Sequence, residues 1–220
     1  MSLDHIREAY RHCEALVRTH DKDHFLASLF APADRRPYLF ALYAFALEIA
    51  RVKTLVNEPM AGMIRLQWWH EAIAGLRVGE AAASPVMIAL QDAAAQTGVS
   101  LAPLAAAVEA RQAELRGPPA TGAAGAIFAM AARFLGADED AVTLAADRAA
   151  QAVTFVMGEP EKARDAYRAF RAQIETLPKS SLPAFLIVSL VPLRLKRPDA
   201  PQWRRQIALL RAAWFGFPKF

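Results

Sequence analysis

Residues 34–71 read DRRPYLFALYAFALEIARVKTLVNEPMAGMIRLQWWHE, and this stretch predicts two consecutive helices. The first begins near Pro37, because the missing N–H of a proline costs nothing in the first turn, and Asp34 precedes it as a candidate cap. Apolar residues then recur at the spacing of a helix packed on several sides: Leu39, Leu42, Tyr43, Ala46, Ile49 and Ala50. Since the connecting loop is short, the two helices, predicted over residues 36–56 and 62–76, should be adjacent and antiparallel.

Polar side chains interrupt the apolar face of the first helix, and these positions are candidates for function. Glu48 and Arg51 are three residues apart, so they can pair on one helix face, and Arg65 of the second helix can join them. One interpretation is an ion pair that orients the two helices. The other is a pocket in which Arg51, Lys53 and Arg65 bind a diphosphate directly, without metal. The ion pair is favoured, because an unpaired carboxylate in this position would be costly.

Three short segments carry a resemblance to a known enzyme family: Phe25-Leu26-Ala27, Arg35-Arg36-Pro37 and Leu42-Tyr43-Ala44-Phe45. They resemble the opening of the squalene/phytoene synthases, which are all-helical enzymes that transfer prenyl groups. The resemblance covers most of the chain. It implies an all-α, single-domain helical bundle of the isoprenoid-synthase type over residues 1–220, shortened near residues 117–122 and 157–161, with Tyr43 as a cavity residue.

The chain differs from this family at the positions that bind the metal ion. In the family an arginine is followed by aspartates four residues apart, which point the same way on a helix and hold Mg²⁺ on a substrate diphosphate. The arginine position falls here on Leu47. The aspartate positions fall on Ala50, Arg51 and Thr54, and residues 151–156, where the second acidic motif is expected, have no acidic pair. The sequence therefore predicts no catalytic residue, no metal and no cofactor.

The string Arg65-Leu66-Gln67-Trp68-Trp69 resembles a divergent branch of the family, which includes a mitochondrial assembly factor for respiratory complex I. In that branch a glutamate also stands in the position of Glu48. Trp68 and Trp69 have two interpretations, packing between helices or lining of an apolar cavity for a prenyl chain. Packing is favoured, because aromatic residues at helical spacing are ordinary core residues.

Composition excludes several classes of protein. Of the 220 residues, 55% are hydrophobic and 22% charged, and alternating strand patterns are scarce, which favours an all-helical protein. A net charge of +4 suits an anionic membrane surface or a phosphate group, but is too small to indicate a nucleic-acid partner. Cys13 is the only cysteine, which fits a reducing compartment.

The expected location is cytoplasmic, peripheral on the inner membrane. Asp4, Arg7 and Glu8 interrupt any signal-peptide core at the N-terminus. The longest apolar run, residues 182–193, is far shorter than the roughly 20 residues of a membrane-spanning helix.

Two acidic clusters suggest metal binding at first sight. Residues 20–24 read HDKDH, and residues 138–140 read DED. Consecutive residues on a helix do not face one point, so the first cluster is predicted to be a solvated loop or a helix start. The second complements the positive end of a helix dipole.

Residues 201–220 form a basic, aromatic segment that predicts an amphipathic helix followed by an aromatic tail. It has two interpretations, a membrane interface and docking on the core. Docking is favoured for the helix, and contact with a membrane or partner for the tail. The candidate contact residues are Arg204, Arg205, Arg211, Trp214, Phe217 and Phe220.

Three hypotheses follow, in order of preference. The first is a catalytically silent family member that assembles or stabilises a membrane-associated respiratory complex. The second is a protein that binds an isoprenoid or a prenyl diphosphate. The third is an active farnesyl or geranylgeranyl transferase with a displaced site, which would need carboxylate clusters for Mg²⁺ that the sequence does not offer in place.

Overall fold

The computed structural model of the protein describes residues 3–56, 58–77, 79, 83–117 and 122–219, without the side chains of residues 139–141. Regular secondary structure in the described residues is entirely helical, which confirms the predicted all-α class. In chain order the elements are α1 (Leu3–His20), α2 (Lys22–Ser28), α3 (Arg36–Leu55), α4 (Pro59–Ile73), α5 (Pro85–Thr97), α6 (Leu104–Glu114), α7 (Gly122–Phe134), α8 (Glu139–Phe155), α9 (Pro160–Ile174), a 3₁₀ helix (Lys179–Leu190), α10 (Val191–Lys196) and α11 (Gln202–Phe215).

Local sequence explains where several helices begin and end. Pro37, Pro59 and Pro85 each occupy the first turn of a helix, where proline costs no hydrogen bond. The Ser84 side chain accepts a hydrogen bond from the backbone N–H of Met87, a typical N-cap. Pro59 also explains why α4 begins three residues before the predicted position.

The central helix of the fold is α3. Every residue from Leu39 to Phe45 is buried, so this part of the helix is covered on all sides. It contacts α1, α2, α4, α5, α6 and α7. The buried core cluster around it extends from Ala9 in α1 to Val191 in α10. That the chain forms one domain, shortened near residues 117–122 and 157–161, stays a prediction, and residues 118–121 lie outside the described part.

α3 and α4 meet as an antiparallel pair. The Trp69 and Phe45 rings pack edge to face with their centroids 5.3 Å apart. Val52 and Arg65 lie in one cleft, nearer the loop that connects the two helices. Gly62 allows α4 to approach the end of α6, because a Cβ atom there would lie 2.9 Å from Leu115 Cδ1.

The last helix docks on the body of the protein, as predicted. Leu209 and Ala212 of α11 are buried against Leu186 and Leu190 of the 3₁₀ helix and Ala27 of α2. Among the described residues, no helix combines the length and apolarity required to cross a membrane.

Candidate functional site

The residues predicted as a site on α3 and α4 do not come together as one group. Glu48, Arg65, Trp68 and Trp69 line an outer cleft of about 190 Å³ between the two helices. Tyr43 instead lies inside the protein, on a different face of α3. The structure therefore separates the predicted residues into an external and an internal set.

The remaining two predicted cations contribute to neither set. Lys53 Nζ donates a 2.9 Å hydrogen bond to the carbonyl of Glu114 and so ties α3 to the end of α6. Within the described part of the chain, no ion pair joins Glu48 to Arg51 or to Arg65, so the predicted pairing does not form. Arg65 is exposed on α4. Water solvates exposed charges well, and an exposed pair gains little free energy.

Tyr43 is buried beside His24. The two ring centroids are 4.2 Å apart. The Tyr43 hydroxyl is buried and has no hydrogen-bond partner among the described residues. Burial raises the pKa of this phenol above its ordinary value, and the nearby Asp21 raises it further.

A cavity of about 280 Å³ adjoins this region, and the sequence analysis did not anticipate it. Its polar lining consists of Asp21, Asp23, His24, Arg111 and Arg194. Its apolar lining comes from α3, α7, α8 and the 3₁₀ helix, and includes Ala46, Ile49, Ile127, Phe128, Val153 and Ile187. One side is thus apolar, while the other carries two carboxylates, two guanidinium groups and an imidazole.

Asp21 is the N-cap of α2, the helix that carries Asp23 and His24. One carboxylate oxygen accepts from the His24 backbone N–H at 3.0 Å, and the other lies 2.7 Å from His24 Nδ1. Burial alone would raise the pKa of Asp21. The interactions with His24 and the charge of Arg194 outweigh that effect, so the pKa lies below its ordinary value.

Asp23 is the more deeply buried carboxylate, with 8% of the residue exposed. It lies 3.1 Å from Arg194 and 3.0 Å from Arg205, and it accepts a hydrogen bond from Gln202. The predicted helix start is therefore confirmed, but the predicted solvation is wrong for Asp23. The prediction failed because α11 and α10 supply the cations from far along the chain.

Arg111 completes the polar side of the cavity. Its Nη1 lies 2.6 Å from a carboxylate oxygen of the buried Glu114. Its Nε is buried without a hydrogen-bond partner among the described residues.

These residues do not fit the magnesium–diphosphate site of the squalene/phytoene synthases. The α3 side of the cavity offers Ala46 and Ile49, which carry no oxygen ligand. Asp21 and Asp23 are already engaged by His24 and by two arginines. In the described residues, no group of three or more His, Cys, Asp or Glu is placed to hold a metal ion.

The C-terminal segment forms a third feature, a groove of about 800 Å³ between α9, α10 and α11. Of the predicted contact residues, Arg204 and Arg211 line this groove and Trp214 is 75% exposed. Arg205 is instead paired with Asp23, so the predicted surface role is wrong for it.

The aromatic tail is more firmly attached than predicted. The Phe217 ring packs against Phe170, with centroids 5.2 Å apart. The Tyr167 hydroxyl donates a 2.8 Å hydrogen bond to the carbonyl of Pro218. Phe220 lies outside the described residues.

Comparison with known proteins gives a family match and several partial relatives. Residues 17–157, well over half of the chain, match the squalene/phytoene synthase family. A Bos taurus protein named "NADH dehydrogenase (ubiquinone) complex I, assembly factor 6" is 36% identical over 80 residues, which are 36% of this chain and 24% of the relative. Its Homo sapiens counterpart is 37% identical over 79 residues, with the same coverage of 36% and 24%.

The Drosophila melanogaster homolog of that factor is 38% identical over 64 residues, which are 29% of this chain and 19% of the relative. The matched segment thus spans a quarter or less of the length of these relatives. No solved structure matches the chain.

Proposed function

Because the chain belongs to the squalene/phytoene synthase family but has Ala50, Arg51 and Thr54 where that family holds its metal, we propose that it is a non-catalytic assembly or stabilising factor for a membrane-bound respiratory complex. The observation that carries this proposal is the identity of 36–37% over about 80 residues with proteins named as complex I assembly factors. The printed names describe those relatives, and their role is transferred to this chain only as a proposal.

The chemistry of the cavity supports a non-catalytic role. Departure of a diphosphate develops negative charge that cations must neutralise, and the family uses Mg²⁺ held by carboxylates for this purpose. The carboxylates in this cavity, Asp21 and Asp23, face His24 and two arginines. Their charge is already balanced, which leaves them poor ligands for a further cation.

The outer side of the α3–α4 pair supports a protein contact. Leu55, Met60 and Ile64 are 55%, 68% and 66% exposed, respectively. Leu55 lines the cleft that contains Trp68 and Arg65. Met60 and Ile64 precede Trp68 at intervals of four residues, which places them on the same side of α4 as that ring. Exposed apolar groups clustered beside an aromatic ring and an arginine are typical of protein-binding surfaces. We assign this α3–α4 surface to a respiratory subunit or assembly intermediate, with the protein peripheral at the inner membrane.

The test is copurification. The tagged full-length chain is isolated from its own cells under mild detergent, and the accompanying proteins are identified by mass spectrometry. We expect respiratory-complex subunits to be enriched over an untagged control. The double variant Met60→Ser/Ile64→Ser should lose them, whereas Leu144→Ser/Met157→Ser, which changes exposed apolar residues on α8 and just after it, should retain them.

Two outcomes would overturn the proposal. One is the absence of respiratory subunits from the wild-type sample. The other is unchanged assembly of the respiratory complex, judged on native gels, in cells that lack the protein.

A second candidate function, isoprenoid binding, is favoured by the amphipathic cavity. Its volume of about 280 Å³ is at the lower limit of ligand pockets, which typically measure about 300–1,000 Å³. Only a short prenyl chain would fit. Organic extraction of the purified protein should then release an isoprenoid that is absent from Ala46→Phe, a variant that fills the cavity from α3. Clean extracts from the wild-type protein would argue against this candidate.

A further inference from the structure

The outward face of α11 carries a continuous apolar stripe. Trp203, Ile207, Leu210 and Trp214 follow each other at intervals of four, three and four residues, which places them on one side of the helix. They are 55%, 48%, 46% and 75% exposed, respectively. The opposite side of α11 is already buried against the 3₁₀ helix and α2. The stripe is thus not needed to dock the helix.

Positive charge accompanies this stripe. The groove beside it is lined by five cations: Arg171, Lys196, Arg204, Arg211 and Lys219. Among the described residues that line it, none is acidic. The Arg204 guanidinium lies 4.9 Å from the centroid of the Trp203 ring, so charge and apolar surface are directly adjacent. The net charge of +4 for the whole chain conceals this concentration.

Not every arginine near α11 belongs to the groove. Arg194 and Arg205 turn inward to Asp23. The five groove cations form no ion pair with any described acidic residue. Cations without carboxylate partners, placed beside exposed tryptophans, complement an anionic surface with an apolar interior.

We propose that the α11 stripe and the groove together bind the surface of a bilayer rich in anionic phospholipid. The stripe enters the boundary between headgroups and acyl chains, where tryptophan is favoured, with Phe215, which is 82% exposed, at its end. The groove cations bind the lipid phosphates. An acidic protein segment would satisfy the cations but would leave two tryptophans uncovered, so the bilayer fits the surface better.

This inference deepens the proposed function and rests on it in one respect, that an assembly factor for a respiratory complex acts at a membrane. Vesicle binding is measured without any respiratory subunit. Failure of vesicle binding therefore leaves the copurification result unaffected, and the two proposals can fail separately.

The experiment is cosedimentation of the full-length chain with vesicles of two parts phosphatidylcholine to one part phosphatidylglycerol, and with pure phosphatidylcholine vesicles. We expect binding to the anionic vesicles that weakens as salt is raised. Each basic residue at an anionic surface strengthens partitioning about fivefold at low salt, so Arg204→Gln/Arg211→Gln should weaken it about 25-fold. Trp203→Ser/Trp214→Ser should weaken it at least about tenfold through the lost apolar transfer.

Matched controls separate this surface from general charge and apolarity. Arg7→Gln/Arg11→Gln removes two exposed arginines from α1, and Leu144→Ser/Met157→Ser removes two exposed apolar side chains elsewhere. Both should bind vesicles as the wild-type protein does. Circular dichroism and urea unfolding confirm that each variant is folded.

Three results would overturn the proposal. The first is a wild-type protein that stays in the supernatant with anionic vesicles at low salt. The second is a control pair that loses as much binding as the α11 pairs. The third is binding of polyglutamate but not of vesicles, which would assign the surface to an acidic protein partner.

Discussion

The carboxylate of Asp23 lies 3.0 Å from Nε of Arg205, a residue 182 positions later in the chain. This ion pair joins α2 to α11, and Arg194 of α10 contacts the same carboxylate at 3.1 Å. The pair therefore fixes the helix that carries Asp21 and His24 to the C-terminal helix that carries the apolar stripe. Asp23, which lines the cavity, is thereby paired with the helix that borders the groove.

Asp23→Asn is expected to destabilise the fold. The substitution leaves two arginines without their counter-charge, and breaking a buried pair typically costs about 3–5 kcal/mol. The arginine side chains are 32% and 29% exposed, so water recovers part of that energy and a loss of about 2 kcal/mol is expected. The measurement is urea unfolding followed by circular dichroism.

The matched control is Asp165→Asn. Asp165 pairs with Arg168 at 3.1 Å on the surface of α9, with 75% of its side chain exposed. A surface pair of this kind contributes about 0–1 kcal/mol. Equal losses in the two variants would show that the Asp23 pair does not anchor α11.

The acid stability of the protein should depend on Asp21. Its pKa in the folded state lies below the ordinary value of 3.8, so folding favours the ionised carboxylate. The resulting stabilisation is complete above the unfolded pKa and is lost as the pH falls through the folded pKa. Asp21→Asn keeps an oxygen that can cap α2 but removes the charge, so its stability should fall less steeply between about pH 5 and pH 2.

Urea midpoints measured across that pH range test this expectation. Asp21→Ala, which removes both the cap and the charge, should lose about 1 kcal/mol more than Asp21→Asn near neutral pH. If Asp21→Asn and the wild-type protein show parallel pH profiles, the carboxylate does not contribute as its surroundings indicate.

Much of the fold was predictable because its signals are local. Pro37 and the helical spacing of apolar residues predicted α3, which is observed over Arg36–Leu55. The loop between α3 and α4 is short, and it predicted their antiparallel contact. The family resemblance read from residues 25–45 is confirmed by the match over residues 17–157. Helix limits differ by a few residues, as at Pro59.

The sites were less predictable because their geometry is not local. The spacing of Glu48 and Arg51 showed that they could pair, but not whether they do, and among the described residues no ion pair joins them. Asp23 lies in a stretch that looks solvated, since its counter-charges stand 171 and 182 residues away. Likewise, nothing local separates Arg205, which turns inward, from Arg204, which lines the groove.

Prenyl-transfer activity should be undetectable. The purified protein incubated with farnesyl or geranylgeranyl diphosphate and Mg²⁺ or Mn²⁺ is expected to form no condensation product, because the family aspartate positions are Ala50, Arg51 and Thr54. Product is measured by extraction and mass spectrometry. A heat-inactivated sample is the control, and product above it would favour an active transferase with a displaced site.

Two buried tyrosines provide a matched comparison of hydroxyl contributions. Tyr43 and Tyr167 are 2% and 0% exposed, and burial raises the pKa of both phenols, so both stay neutral in ordinary buffers. The Tyr167 hydroxyl donates a hydrogen bond to the carbonyl of Pro218, whereas the Tyr43 hydroxyl has no partner in the described residues. Removal of the hydroxyl oxygen should therefore lower the stability at Tyr167 but not at Tyr43.

Tyr167→Phe should lose about 1 kcal/mol of unfolding free energy, because a paired hydroxyl contributes roughly that much and the Pro218 carbonyl is left without its donor. Tyr43→Phe should be neutral or more stable by about 1 kcal/mol, because it deletes a buried polar atom that gains nothing from folding. Urea unfolding of both variants at neutral pH gives the comparison. If Tyr43→Phe loses as much stability as Tyr167→Phe, the Tyr43 hydroxyl has a hydrogen-bond partner in solution, and the expected difference between the two tyrosines is wrong.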